Sequence, residues 1–123
     1  GPGLYDTETT RLRVVKVIDW YKKYRNILNA DIVHLRRADG RDWDGWLHVN
    51  PQLKEKGLLM LFNPTQKTIN KTIKIPLYYT GLTKTARIRE KENNSKSFIL
   101  DRSYEVELPI SLAANSYSWW IIE

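Results

Sequence analysis

Between Thr9 and Asn29 the apolar residues Val14, Val17, Ile18, Tyr21, Tyr24 and Leu28 recur at three- and four-residue steps, and no Gly or Pro interrupts them. This spacing predicts one long amphipathic helix, assigned to residues 6–30. Asp6 or Thr7 suits the N-cap, Glu8 the first turn, and Lys22, Lys23 and Arg25 the negative end of the helix dipole. Trp20 and Ile27 widen the apolar face, so the helix needs more than one partner surface. Part of that face is expected to stay exposed in this chain alone, as for a helix that serves a neighbouring domain.

After Asn29 the period shortens. Short runs that alternate in twos or are wholly apolar predict strands near 32–37, 45–50, 57–63, 67–75, 86–92, 97–108 and 117–122. Asp39-Gly40, Asn50-Pro51, Asn63-Pro64, Thr80-Gly81 and Asn93-Asn94-Ser95 supply the breaks, with Thr80-Gly81 closing an aromatic strand. Ile69, Ile73 and Ile75 share one face with Lys71 among them, which implies a strand with one wet side. Leu58 to Phe62 is apolar on both faces and reads as a central strand covered on both sides, on one of them by the helix. The expected fold is mainly β: an antiparallel β-sandwich over 31–123, preceded by one long N-terminal helix.

Composition narrows the function more than it names one. A length of 123 residues with 41% hydrophobic and 28% charged residues suits one soluble domain with a core of its own. No apolar run is long enough to span a bilayer, and Gly1-Pro2-Gly3 resembles the remnant of a cleaved tag, assigned to residues 1–5. The absence of cysteine removes disulfides, thiolate metal sites and thiol nucleophiles. A net charge of +6 raises nucleic acid as a partner, but the basic residues are scattered and interleaved with acids, as in Arg89-Glu90-Lys91-Glu92, which argues against it.

Candidate chemistry is sparse. His34 and His48 are the only histidines; each falls on an expected strand, and alternation with Ile32 and Trp46 lets both project from one sheet face. The densest polar segment runs from Arg36 to Gly45 and contains Arg36, Arg37, Asp39, Arg41, Asp42, Trp43 and Asp44. Paired carboxylates there invite glycosidic acid–base chemistry, yet that work needs them across a sugar ring on a rigid frame, which one turn does not supply. Asp42, Asp44 and Gly45 resemble a piece of a calcium loop without its remaining ligands. The structural alternative is a hairpin whose Arg and Asp side chains pair with each other and whose Trp43 covers a core edge. No catalytic set, metal site or cofactor site follows.

Trp20, Trp43, Trp46, Trp119 and Trp120 are the unusual abundance. Such residues stack on sugar rings or anchor interfaces. Adjacent Trp119 and Trp120 must point to opposite faces, so one of them is a candidate for contact between domains, and Tyr78 with Tyr79 pose the same choice. The candidate carbohydrate or interdomain contacts are therefore Trp43, Trp46, Asp42, Asp44, Arg41, Tyr78 and Trp119.

Taken together the chain resembles a known arrangement. Its helix, with Trp20-Tyr21-Lys22-Lys23-Tyr24-Arg25-Asn26-Ile27-Leu28, resembles the last helix of the catalytic (β/α)8 barrel of bacterial glycoside hydrolases of the α-galactosidase and α-glucosidase kind. The rest resembles the β-sandwich that follows that barrel, through Leu61-Phe62-Asn63-Pro64-Thr65 and the final Ser118-Trp119-Trp120-Ile121-Ile122-Glu123. The stretch from Asp39 to Pro51 looks like hydrolases of gut Bacteroides-type bacteria. The resemblance implies a non-catalytic accessory domain that packs on and stabilises the barrel of its own parent chain, carbohydrate as a further ligand, no nucleic-acid or membrane partner, and export to the periplasm or beyond. A barrel's carboxylates sit at its own strand ends, so no catalytic residue transfers to this chain. The alternatives are an independent carbohydrate-binding module, which would show a coplanar row of exposed aromatics, and a small enzyme, which would bring Asp42, Asp44 and the two histidines into one pocket.

Overall fold

The computed structural model describes residues 3–36 and 38–123, with side chains described from Thr9 onward. Helix α1 spans Gly3–Leu28. It therefore begins ahead of Asp6 and Thr7, which lie within its first turns instead of capping it; their side chains and that of Glu8 lie outside the described residues, as do Gly1, Pro2 and Arg37. At its other end Ala30 N–H donates to the Ile27 carbonyl at 3.1 Å, tightening the last turn before the chain extends.

Among the described residues eight strands follow: β1 Asp31–His34, β2 Asp44–Val49, β3 Gly57–Asn63, β4 Ile69–Pro76, β5 Thr85–Glu90, β6 Lys96–Ile99, β7 Glu105–Leu112 and β8 Ser116–Ile122. They form a six-stranded sheet in the order β1-β2-β3-β8-β5-β6 and a two-stranded sheet β4-β7, every pairing antiparallel. The mainly β sandwich with a leading helix is thus the fold observed.

Period-two alternation decides what each sheet buries. On β7 Val106, Leu108, Ile110 and Leu112 point inward, and on β4 Ile69, Ile73 and Ile75 do the same. They meet Leu47, Val49, Leu59, Leu61, Ala86, Ile88, Trp120 and Ile122 from the larger sheet. The other face of that sheet offers Leu58, Trp119 and Ile121 to Tyr24 and Ile27 of α1. β3 lies in mid-sheet between β2 and β8, so Leu58 and Leu59 are both fully buried although they point in opposite directions. Gly45 permits the close β2–β3 approach, because a Cβ there would stand 2.7 Å from the Met60 carbonyl oxygen.

Three local expectations are corrected. Residues 97–108 are not one strand: Asp101 Oδ1 accepts from the Ser103 and Glu105 amides at 2.8 and 3.0 Å, which folds a turn between β6 and β7. Tyr78–Thr80 form a 3-10 turn and not the end of an aromatic strand, because the Thr80 hydroxyl donates to the Leu77 carbonyl at 2.6 Å and Gly81 takes φ +80°. The first strand stops at His34, since Arg36 turns back to give a hydrogen bond to the Trp43 carbonyl.

Asn63 ties the two sheets. Fully buried at the end of β3, its Nδ2 donates to the carbonyls of Lys67, Leu112 and Ala113 at 2.7, 2.9 and 3.1 Å. Its Oδ1 accepts from the amide and the hydroxyl of Thr65 at 2.9 and 2.7 Å. The contact sets the start of β4 and the end of β7 beside the end of β3.

Candidate functional site

The helix carries two apolar stripes, and the sandwich covers one. Trp20, Tyr24, Ile27 and Leu28 pack on the sheet with Leu58, Met60, Trp119 and Ile121. Trp20, Tyr24 and Trp119 form an aromatic triangle with ring centroids 5.2 to 5.7 Å apart, Trp119 meeting the other two edge-on and Trp20 tilted on Tyr24 at 55°. At roughly 100° per residue, Val14, Val17, Ile18 and Tyr21 fall on a stripe centred about a quarter-turn away. Their exposures are 50, 64, 45 and 45%, and Leu12 and Val15 are also about half exposed. The single expected face is therefore divided: Tyr24 and Leu28, with the widening residues Trp20 and Ile27, form the buried seam, whereas Val14, Val17, Ile18 and Tyr21 are left in solvent. Where the helix passes over β3 and β8 a groove of about 370 Å³ is lined by Lys16, Val17, Trp20, Met60, Tyr117 and Trp119.

Polar contacts latch the C-terminal half of the helix. Tyr24 donates to Glu92, Lys23 Nζ lies 3.1 Å from Glu92 Oε2, and Arg89, itself held by Glu55 at 3.1 Å, donates to the Tyr24 hydroxyl at 3.4 Å. The Tyr24 hydrogen bond, helped by Lys23, holds the Glu92 carboxyl below its ordinary range, and burial pushes the Tyr24 phenol up.

The segment from Arg36 to Asp44 is a hairpin loop closed partly by its own side chains and partly by Lys71 of β4. Arg36 bonds Asp39 at 3.3 Å and lies 5.5 Å over the Trp43 ring, which packs against the edge of the intersheet core. Asp39 Oδ1 accepts the Arg41 amide at 2.9 Å; that bond lowers the Asp39 pKa. Asp42 is held by Lys71 Nζ at 2.9 Å and accepts the Trp43 amide at 2.8 Å, with Lys71 the main reason its pKa is lowered. The Arg41 side chain is exposed.

Asp44 and Trp46 lie on the helix-facing side of β2. His34 pairs with Trp46 and Ile32 with His48, so both histidines do share that face. Trp46 Nε1 donates to His48 Nε2 at 3.1 Å. His48 is buried; burial lowers its pKa, with the Leu28 carbonyl beside it opposing in part. Asp42 meanwhile reaches the other sheet at Lys71, so Asp42, Asp44, His34 and His48 do not converge on one pocket. No cluster of His, Asp or Glu able to hold a metal ion occurs among the described residues. No helix among them is long and apolar enough to cross a membrane.

Tyr78 stands at the opposite end of the sandwich. The Asn63 tie puts the start of β4 near the end of β3, so the end of β4 and the turn after it reach the β2–β3 loop. There Tyr78, Tyr79 and Tyr104 surround an open cleft of about 420 Å³ with Pro51, Gly81, Leu82 and Thr83. Trp119, one of the adjacent pair, belongs to the helix layer and Trp120 to the intersheet core. Met60, Tyr117 and Tyr104 were not foreseen as site residues; for Tyr104 the one local signal is Asp101, whose side chain closes the turn before it.

No family model matches the chain, and no curated protein is similar to it. Solved structures are. A GH27 β-L-arabinopyranosidase from Geobacillus stearothermophilus, in complex with arabinose, superposes with a TM-score of 0.53 at 12% identity, over 76% of this chain and 19% of that one. A protein of Bacillus halodurans C-125 provisionally assigned as an α-N-acetylgalactosaminidase gives a TM-score of 0.47 at 16% identity, over 75% of this chain and 19% of its own. The chain thus spans about a fifth of the length of these glycoside hydrolases, and the likeness to the first is one of fold.

Proposed function

We propose that this chain is a non-catalytic C-terminal accessory domain of an exported glycoside hydrolase, packing on the catalytic barrel and stabilising it. The observation that supports this reading is the uncovered stripe of α1, which runs beside the aromatic groove and is continuous with the covered seam. Covering the open half of each of those aliphatic side chains contributes roughly 1 kcal/mol apiece, and Trp20 and Trp119 at the groove floor suit an interface anchor. In this reading residues 6–30 form the junction with the barrel and 31–123 the appended sandwich. The barrel supplies the catalytic carboxylates and the sugar site.

The test is made on the longer chain. Its coding sequence is expected to place a (β/α)8 barrel directly before α1. In that full-length enzyme Val17→Lys with Ile18→Glu should lower the melting temperature of the barrel by several degrees. The same pair should leave the melting temperature of the present chain unchanged, because both side chains are already exposed here. A longer chain without a barrel, or a barrel indifferent to the pair, overturns the proposal.

A second reading, direct carbohydrate binding, is favoured by one observation only. Trp43 and Trp46 make a poor platform, since the first covers the core under Arg36 and the second is bonded to His48. Tyr78 and Tyr79, by contrast, are 63 and 62% exposed.

A further inference from the structure

We infer that Tyr78, Tyr79 and Tyr104 form a preformed corner that binds one or two rings of a neutral oligosaccharide. The inference rests on the second reading above, carbohydrate contact, and is independent of helix docking.

The corner is rigid because two turns hold it. Leu77 and Thr80, on either side of the two tyrosines, are fully buried, and the Thr80 hydroxyl bonds the Leu77 carbonyl and accepts the Leu82 amide at 3.2 Å. Tyr104 sits at φ +61°, a conformation that a bulky non-glycine residue rarely adopts. Its amide donates to the Asp101 carbonyl at 3.0 Å and its carbonyl accepts the Leu77 amide at 2.9 Å, so the strained backbone is locked against the first turn.

The geometry selects the ligand. Tyr78 and Tyr79 meet at 89° with centroids 5.2 Å apart, and Tyr78 and Tyr104 at 67° and 5.6 Å. One ring offers a flat face for the axial C–H groups of a sugar while its neighbour forms a wall, and the phenol tips and the Thr83 hydroxyl supply donors and acceptors for sugar hydroxyls. A proline-rich peptide would need aromatic slots repeated at about 9 Å, one turn of a polyproline helix, and these rings are packed into a single corner. In a chain with 20 Lys and Arg and 14 Asp and Glu, none of the described residues lining the cleft is ionised, which favours an uncharged ligand. The cleft volume lies in the range of small-ligand sites, roughly 300 to 1,000 Å³.

The experiment titrates the chain with short gluco-, galacto-, manno-, xylo- and arabino-configured oligosaccharides at millimolar concentration, following the tyrosine ring resonances by NMR. At least one series should shift the rings of Tyr78, Tyr79 and Tyr104 together. Tyr79→Ala should weaken that binding roughly tenfold with the melting temperature unchanged, whereas Tyr79→Phe should retain most of it. Silence of these rings across the panel, binding indifferent to both Tyr78→Ala and Tyr79→Ala, or preferential capture of a proline-rich peptide there overturns the inference. None of these outcomes touches the barrel-docking proposal, which the Val17 and Ile18 pair tests separately.

Discussion

Asn63→Ala is the substitution from which this fold has most to lose for one polar side chain. The residue is fully buried and engages five partner atoms, three carbonyl oxygens as donor and two Thr65 groups as acceptor. Alanine removes all of these and leaves carbonyls at the sheet–sheet junction without their donor. Each lost buried hydrogen bond costs about 1 kcal/mol net, and a carbonyl left unsatisfied costs about 1–3 kcal/mol. Water reaching the exposed Lys67 region recovers part of this, so a net loss of about 3 kcal/mol is expected, or roughly 10 °C in melting temperature for a chain of this size. Chemical denaturation followed by tryptophan fluorescence and thermal unfolding by circular dichroism measure it. Asn63→Asp sharpens the test. The new carboxyl would face three carbonyl oxygens, so its folded pKa would be raised above the ordinary carboxylate value. Its stability is then full below about pH 3.9, the unfolded value, and is lost as pH rises through the folded pKa. The aspartate variant should therefore gain on the wild type as the solution is acidified from neutrality. A loss below about 1 kcal/mol for the alanine variant, or an aspartate variant that weakens steadily on acidification relative to wild type, would refute the assigned role.

Trp119→Ala removes the ring on which Trp20 and Tyr24 rest; a loss of about 3–5 kcal/mol is expected, with the helical far-UV signal melting before the sheet signal. His48, buried and accepting from Trp46, favours its neutral form, so its pKa is lowered and stability is full above about pH 6.5 and is lost as pH falls from there toward the folded value. His48→Gln should flatten the slope of melting temperature against pH in that window; an unchanged slope would show that the histidine does not contribute to it.

Much of the fold was legible along the chain because alternation is a local signal. Ile69, Ile73 and Ile75 on β4, the doubly buried run from Leu58 and the opposed pair Trp119 and Trp120 each announce their faces within a few residues. The pairing of Arg36 with Asp39 and Trp43 was equally readable, since those partners are sequence neighbours, whereas the Asp42–Lys71 pair spans 29 positions and was not. The turn before Tyr104 was hidden because Arg102, Ser103 and Tyr104 do not break an extended pattern on their own; the Asp101 side chain does, by bonding amides two and four residues on.

What the sequence by itself determined is the set of apolar faces: one broad face on the helix, one on β4 and β7, two on β3 and β8. Tertiary structure alone decided which of them are satisfied. The choice of 20/24/27/28 over 14/17/18/21 follows from Trp119, Leu58 and Ile121 meeting on one side of a sheet assembled from distant segments, and so does the stripe that remains open. Likewise only the Asn63 tie, joining residues 49 and 50 positions apart, sends the tyrosine corner to the end of the sandwich away from the Asp42 loop. Periodicity encodes which side of an element is apolar, but the partner that covers it is set by long-range register, which no local pattern carries.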